Sequence, residues 1–185
     1  MKFWYAVGLT VFVLSVAPAT WTAHDRKRVE YCFTPGADCT RFIVDRITKA
    51  RFEVLVQAYQ FTSAPIADAI CAAKERQVAV KILLDRVNES AKEPYTAIVA
   101  KLEKCADVLV DHKVAIAHNK VVVIDRTHVI TGSFNLTTAA AKRNAENVVL
   151  IPDDPAVAEA YAGNFLERAK VARALKKPQP VAVAQ

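Results

Sequence analysis

The stretch HNKVVVIDRTHVITGSFN, residues 118–135, decides how this chain folds. Residues 120–125 and 128–131 are rich in Val and Ile, and the polar interruption at Arg126 and Thr127 joins them as a pair of strands. Side chains two apart on a strand share a face. His118 and Lys120 therefore point one way, Ser133 and Asn135 repeat that spacing, and Val121, Val123 and Ile130 are left to pack toward the core. An imidazole, an ammonium, a hydroxyl and an amide gathered on one patch form an anion site with a nucleophile in it.

Outward from this hairpin, the apolar pattern alternates between two periods. Residues 38–49 place Phe42, Ile43 and Ile47 at helical spacing, and Phe52, Val54, Val56 and Ala58 alternate as a strand. Residues 64–76 repeat the helical pattern through Ile66, Ile70 and Ala73, and residues 78–84 form the nearly continuous apolar run of a buried strand. A helix over 94–104, strands over 106–110 and 148–151, and a long alanine-rich helix over 155–175 complete the expected elements. Such alternation predicts one α/β domain over 28–176, a mixed β-sheet sandwiched between helices, followed by a disordered Lys/Pro/Gln tail over 177–185. None of the four glycines forms a GxGxxG or P-loop pattern, so cradling of a nucleotide by a glycine-rich loop is unsupported.

With 185 residues, 53% of them hydrophobic, the chain is long enough for one domain with a sizeable core and too short for two ordinary ones. The formal charge of +6 favours polyanionic partners, nucleic acid or an anionic membrane. One lysine precedes the apolar run of residues 3–17, and Ala17, Pro18 and Ala19 supply a small-x-small cleavage pattern, which reads as a signal peptide over 1–19. A cut after Ala23 would set Trp21 where a small residue is wanted, and a retained anchor would need a run nearer 20 residues. The expected location is therefore outside the cytoplasm, periplasmic or secreted. There Cys32, Cys39, Cys71 and Cys105 meet an oxidising compartment, with three pairings open to them. Structural bridges or buried free thiols fit better than a metal site, since there is no CxxC pair and the histidines lack ligand spacing. Neither a metal nor a cofactor is expected.

The chemistry of the patch follows from its residue types. Attack on a phosphodiester requires neutralising its negative oxygens as the transition state forms, a task suited to Lys120 and Asn135. Imidazole, with an ordinary pKa of about 6.5, is a competent nucleophile near neutral pH. A carboxylate behind the ring can hold the reactive tautomer, and Glu146, in RNAEN, is the candidate.

The pattern HxKxxxxD followed six residues later by GSxN, carried by His118, Lys120, Asp125, Gly132, Ser133 and Asn135, resembles the phospholipase D superfamily, especially its small single-motif bacterial endonucleases. AYQFTSAPI (58–66), KILLD (81–85) and NAENVVL (144–150) extend the likeness across nearly the whole region 31–169. The resemblance implies a phosphohistidine intermediate on His118, phosphate binding by Lys120, Ser133 and Asn135, and a glutamate at Glu146 orienting the imidazole. Asp125 belongs to the catalytic motif, although its spacing from Lys120 turns it away or into the turn, where it would brace the loop. Family members with two motifs set them face to face. A single-motif chain is therefore expected to form a two-fold homodimer with the active site at the axis, one His118 attacking while its mate protonates the leaving alkoxide.

Other residues weigh less. His112, His24 and His128 read as solvated loop residues, and Tyr59 and Phe61 as aromatics that either stack on a base or pack. Arg86, Lys92, Lys101 and Lys104 form either a basic track or a solvated face. Three functions fit, in order: a metal-independent, non-specific endonuclease for DNA, with RNA as a second substrate; a phospholipase D acting on phospholipid head groups; and a nucleic-acid-binding module without catalysis. Against the lipid reading, no amphipathic helix with an aromatic face is evident.

Overall fold

The computed structural model describes residues 28–89, 92 and 94–175; the expected signal peptide, His24 and the C-terminal tail lie outside the described residues. Local signals set the element boundaries. The Asp38 side chain accepts from Arg41 N at 2.9 Å to start α1 (Cys39–Ile47), and Asp154 does the same for Val157 N at the head of α5 (Pro155–Val171), where Pro155 is preset for the first turn. Between them lie β2 (Glu53–Ala58), α2 (Ala64–Glu75), β3 (Ala79–Asp85), α3 (Tyr95–Leu102), β4 (Asp107–Asp111), β5 (Lys120–Ile124), β6 (His128–Gly132) and β7 (Glu146–Ile151).

Four elements were not expected from the periodicity, one of them a short 3-10 helix over Arg86–Glu89. Glu30–Thr34 forms β1, Thr138–Lys142 forms the short helix α4, and Arg173–Ala174 forms β8. The last helix therefore stops at Val171 instead of running to residue 175, because the chain turns back to pair with β4.

Among the described residues eight strands lie in the order β1-β7-β6-β5-β2-β3-β4-β8. β2, β3 and β4 are parallel, as their helical crossovers require, and every other pairing is antiparallel. A seam between the two halves runs along β2 and β5. Helices α1 to α4 cover one face, where Ile43, Ile70, Ile82, Leu102 and Val122 share a core; α5 covers the other through Ala158, Ala162 and Phe165 over Leu55, Leu83 and Val123. Because both faces of the central strands are covered, their apolar runs are nearly unbroken. Val121 and Val123 consequently pack under α5 while Ile130 packs on the opposite face, so the three reach the core as expected, from two sides of the sheet.

The cysteines pair as Cys32–Cys39 and Cys71–Cys105. The first ties β1 to α1 and the second ties α2 to the segment after α3. No helix among the described residues is long and apolar enough to cross a membrane.

Candidate active site

The register of the sheet brings the polar residues of the 118–135 segment to one edge. Ala58 at the end of β2 pairs with Lys120 at the start of β5, Gly132 at the end of β6 pairs with Val148, and Thr34 at the end of β1 pairs with Glu146. The parallel strands β3 and β4 finish at the same edge with Asp85 paired to Asp111. In a sheet with parallel strands, the crevice beyond their carboxyl ends is where a ligand finds room.

His118 stands just before β5, so it is not on the strand as its spacing had suggested; it occupies an exposed connecting segment. That segment is braced by three side chains. Asp111 accepts from Lys113 N at 2.9 Å, Asp85 accepts from Ala117 N at 2.7 Å, and Arg86 donates to Ala115 O at 3.0 Å. Both aspartates are buried, which strengthens such charge-assisted bonds, and Asp111 is further paired with Arg168 of α5 at 2.5 Å. The Tyr59 ring lies 4.6 Å from the His118 ring, tilted by 54°, and the Lys120 ammonium lies 5.2 Å from the Tyr59 centroid. Lys120 Nζ also donates to His118 O at 2.8 Å. Asn88, fully buried, fixes the Tyr59 segment by donating to Tyr59 O at 2.7 Å and accepting from Phe61 N at 2.9 Å.

On the other side of the edge, Asn147 O accepts from both Ser133 N and Phe134 N, at 3.1 and 3.3 Å, and Asn147 N donates to Ser133 Oγ at 3.0 Å. Gly132, at φ +150°, makes this approach, since a Cβ there would meet Asn147 O at 2.3 Å. Ser133 Oγ donates to Glu146 Oε2 at 2.5 Å, and Asn144 Nδ2 donates to Glu146 Oε1 at 2.8 Å. The Glu146 carboxylate is thus engaged by Ser133 and Asn144 and not by the imidazole. Its charge nevertheless reaches Lys120: burial lowers the Lys120 pKa from the usual lysine value, and Glu146 acts against that lowering. The Asn135 side-chain oxygen is buried without a hydrogen-bond partner among the described residues.

Asp125 lies away from this edge. It sits at the opposite end of β5, about 17 Å from Lys120 by the rise of a strand. Its Oδ1 accepts from Phe52 N at 2.7 Å and Glu53 N at 3.0 Å, and its Oδ2 from Arg51 N at 2.9 Å. The hairpin turn centres on Asp125 and Arg126, both left-handed at φ 52° and 54°, and not on Arg126 and Thr127. Asp125 is a brace in this geometry.

Among the remaining residues, Phe61 is wholly buried in the core, while His112 is half-buried with Nε2 3.1 Å from Glu89 instead of lying solvated. His128 is half-buried as well, its Nδ1 accepting from Asp153 N at 2.9 Å. Lys101 is paired with Asp68 and Arg86 holds Ala115 O, so these two do not belong to a free basic track. Sequence reading missed the work of Tyr59, Asp85 and Asn88. A signal existed for Asp85, the one charged residue closing the apolar run KILLD at the carboxyl end of a parallel strand.

Residues 43–169 match the family described as cardiolipin synthase, PLD-like domain. The chain belongs to the phospholipase D superfamily. A phospholipase D from Rickettsia typhi is 47% identical over 143 residues, covering 77% of this chain and 69% of the relative. The crystal structure of Nuc, a phospholipase D family member from Salmonella typhimurium, superposes with a TM-score of 0.76 at 32% identity over 80% of this chain and 97% of that one. A mitochondrial cardiolipin hydrolase from Xenopus laevis is 33% identical over 107 residues, 58% of this chain and 50% of the relative. The chain is accordingly a phosphodiesterase of that superfamily, built on its single-domain mixed α/β fold.

Proposed function

We propose that this phosphodiesterase is an exported, metal-independent nuclease that cleaves DNA, with RNA as a second substrate, through a phosphohistidine on His118. The observation that carries the reading is an exposed imidazole on a segment braced by Asp85, Arg86 and Asp111, beside an ammonium whose charge is partly desolvated. The His118 ring nitrogen forms a bond to phosphorus as the bond to the leaving oxygen breaks, and water then attacks the phosphohistidine and returns free imidazole. Lys120, Ser133 and Asn135 bind the non-bridging oxygens; rotating the Asn135 amide would turn its donors toward the place where its oxygen has no partner. Glu146 acts through Ser133 and through the charge of Lys120. An acid is needed for the leaving alkoxide, and a two-fold homodimer with the exposed His118 of each chain at the axis supplies it. Ile116, 56% exposed and two residues from His118, suits burial in that interface. Two disulfides fit an oxidising compartment.

A second reading, hydrolysis of phospholipid head groups, is favoured by the names of the Rickettsia and Xenopus relatives. Purified protein in excess EDTA, given plasmid DNA and separately phosphatidylcholine and cardiolipin vesicles, discriminates between them. Nicking of DNA with no release from lipid is expected; release from lipid without nicking would reverse the assignment. Cleavage that stops in chelator and returns with magnesium would end the metal-independent mechanism.

A further inference from the structure

Beside His118, on the side of the sheet covered by α1 to α4, lies a cleft of about 620 Å³ that the phosphoryl chemistry does not use. Its wall runs from Gln60 and Tyr95 to Thr138, Lys142 and Arg143. Two of its lining residues are cations and none is an acid, so its field favours an anion. Among the described residues neither Lys142 nor Arg143 is held in an ion pair, and both are exposed. The cleft adjoins the reacting centre from two sides. Gln60 follows Tyr59, whose ring touches His118, and Thr137, on the cleft wall, donates through its amide to Asn135 O at 2.7 Å. Past Lys142 and Thr138 a second cleft of about 590 Å³ continues toward Gly36, so an elongated substrate has a path in both directions.

We infer that Lys142 and Arg143 bind the phosphate neighbouring the scissile one on a nucleic-acid strand. This rests on the nuclease reading and deepens it: the enzyme recognises a run of phosphates and not a single diester. A quaternary ammonium head group would be repelled by the two cations. A lipid with two phosphates shares the anionic chemistry and is separated by experiment.

The test compares three substrates: bis(4-nitrophenyl) phosphate, which has no neighbouring phosphate, a single-stranded oligonucleotide of about twenty residues, and cardiolipin vesicles. For Lys142→Ala/Arg143→Ala we expect kcat/KM on the oligonucleotide to fall about 10- to 100-fold. The slope of log rate against log salt should become shallower by about 1 to 2, while bis(4-nitrophenyl) phosphate hydrolysis stays within about twofold. The charge-preserving Lys142→Arg/Arg143→Lys should restore most of the oligonucleotide rate. A parallel loss on both substrates, an unchanged oligonucleotide rate, or a loss confined to cardiolipin overturns the assignment. The nuclease reading itself is judged separately on the wild type: turnover of the nitrophenyl diester without oligonucleotide cleavage removes it, and this proposal with it.

Discussion

At the scale of single residues, two carboxylates of the 118–135 neighbourhood make opposite predictions. Asp125 receives four hydrogen bonds from the amides of residues 51 to 53 and lies at the far end of β5 from His118. Asp125→Ala should therefore lower stability by about 2–3 kcal/mol, the scale of a few charge-assisted bonds, and leave kcat of the folded enzyme within about threefold. A thermal melt and steady-state kinetics below the transition check it; a loss of kcat without a loss of stability would return Asp125 to the chemistry. Glu146 should behave in the other way. Burial sets the Lys120 pKa below its usual value and the Glu146 charge opposes that lowering. Removing the charge in Glu146→Gln leaves burial unopposed, so Lys120 loses its proton at lower pH. The alkaline limb of kcat/KM should move to lower pH, and an unmoved limb would separate Glu146 from Lys120. His118→Ala should abolish turnover, and Lys120→Ala should lose about 100-fold or more. The type and number of these side chains were legible in the sequence because the motif is contiguous. The braces were not, because Asp85 meets Ala117 and Asn88 meets Tyr59 only after β3 is placed beside its neighbours.

At the scale of elements, the periods that were read correctly belong to strands and helices with a covered face, such as β2, β3, α1 and α2. Where the chain departs from the expected pattern, each departure has a local cause. β1 carries Tyr31 and Phe33 outward, 67% and 56% exposed, so its alternation lacks the polar side that marks a strand, and its partner β7 is more than a hundred residues away. α4 has five residues, too few to show a helical period. Cys32 and Cys39 are joined across the local turn at Pro35 and Gly36, whereas Cys71 meets Cys105 only once α2 packs beside the end of α3, which no local pattern shows. Two changes test the element level. Gly132→Ala should push β6 off Asn147 and cost at least about 2 kcal/mol together with most activity, because the same contact aims Ser133. Replacing Cys71 and Cys105 by alanine opens a loop with a sequence separation of 34 and should lower stability by about 4 kcal/mol on the chain-entropy estimate. A melt within two degrees of the wild type would show that packing alone holds α2 to the end of α3.

At the scale of the whole molecule, the proposed homodimer is tested by hybrids of one intact and one His118→Ala chain, purified by distinct tags. Shared catalysis requires a hybrid with almost no activity; half activity, or full activity from a species that sediments as a monomer, would mean independent sites. The seam between β2 and β5 has its own bearing on how the enzyme comes into being. His118 and Lys120 emerge on one side of that seam, while Tyr59, Asp85 and Asn88, which hold their surroundings, belong to the other. The contacts joining the two sides span stretches of chain as long as the 74 residues between Arg51 and Asp125. Closing loops of that size is slow, and no local fragment contains a working pair. During synthesis or refolding, then, helices and the parallel half can form while the chain is still catalytically silent. The phosphodiester chemistry would thus be withheld until the two halves of the sheet have met.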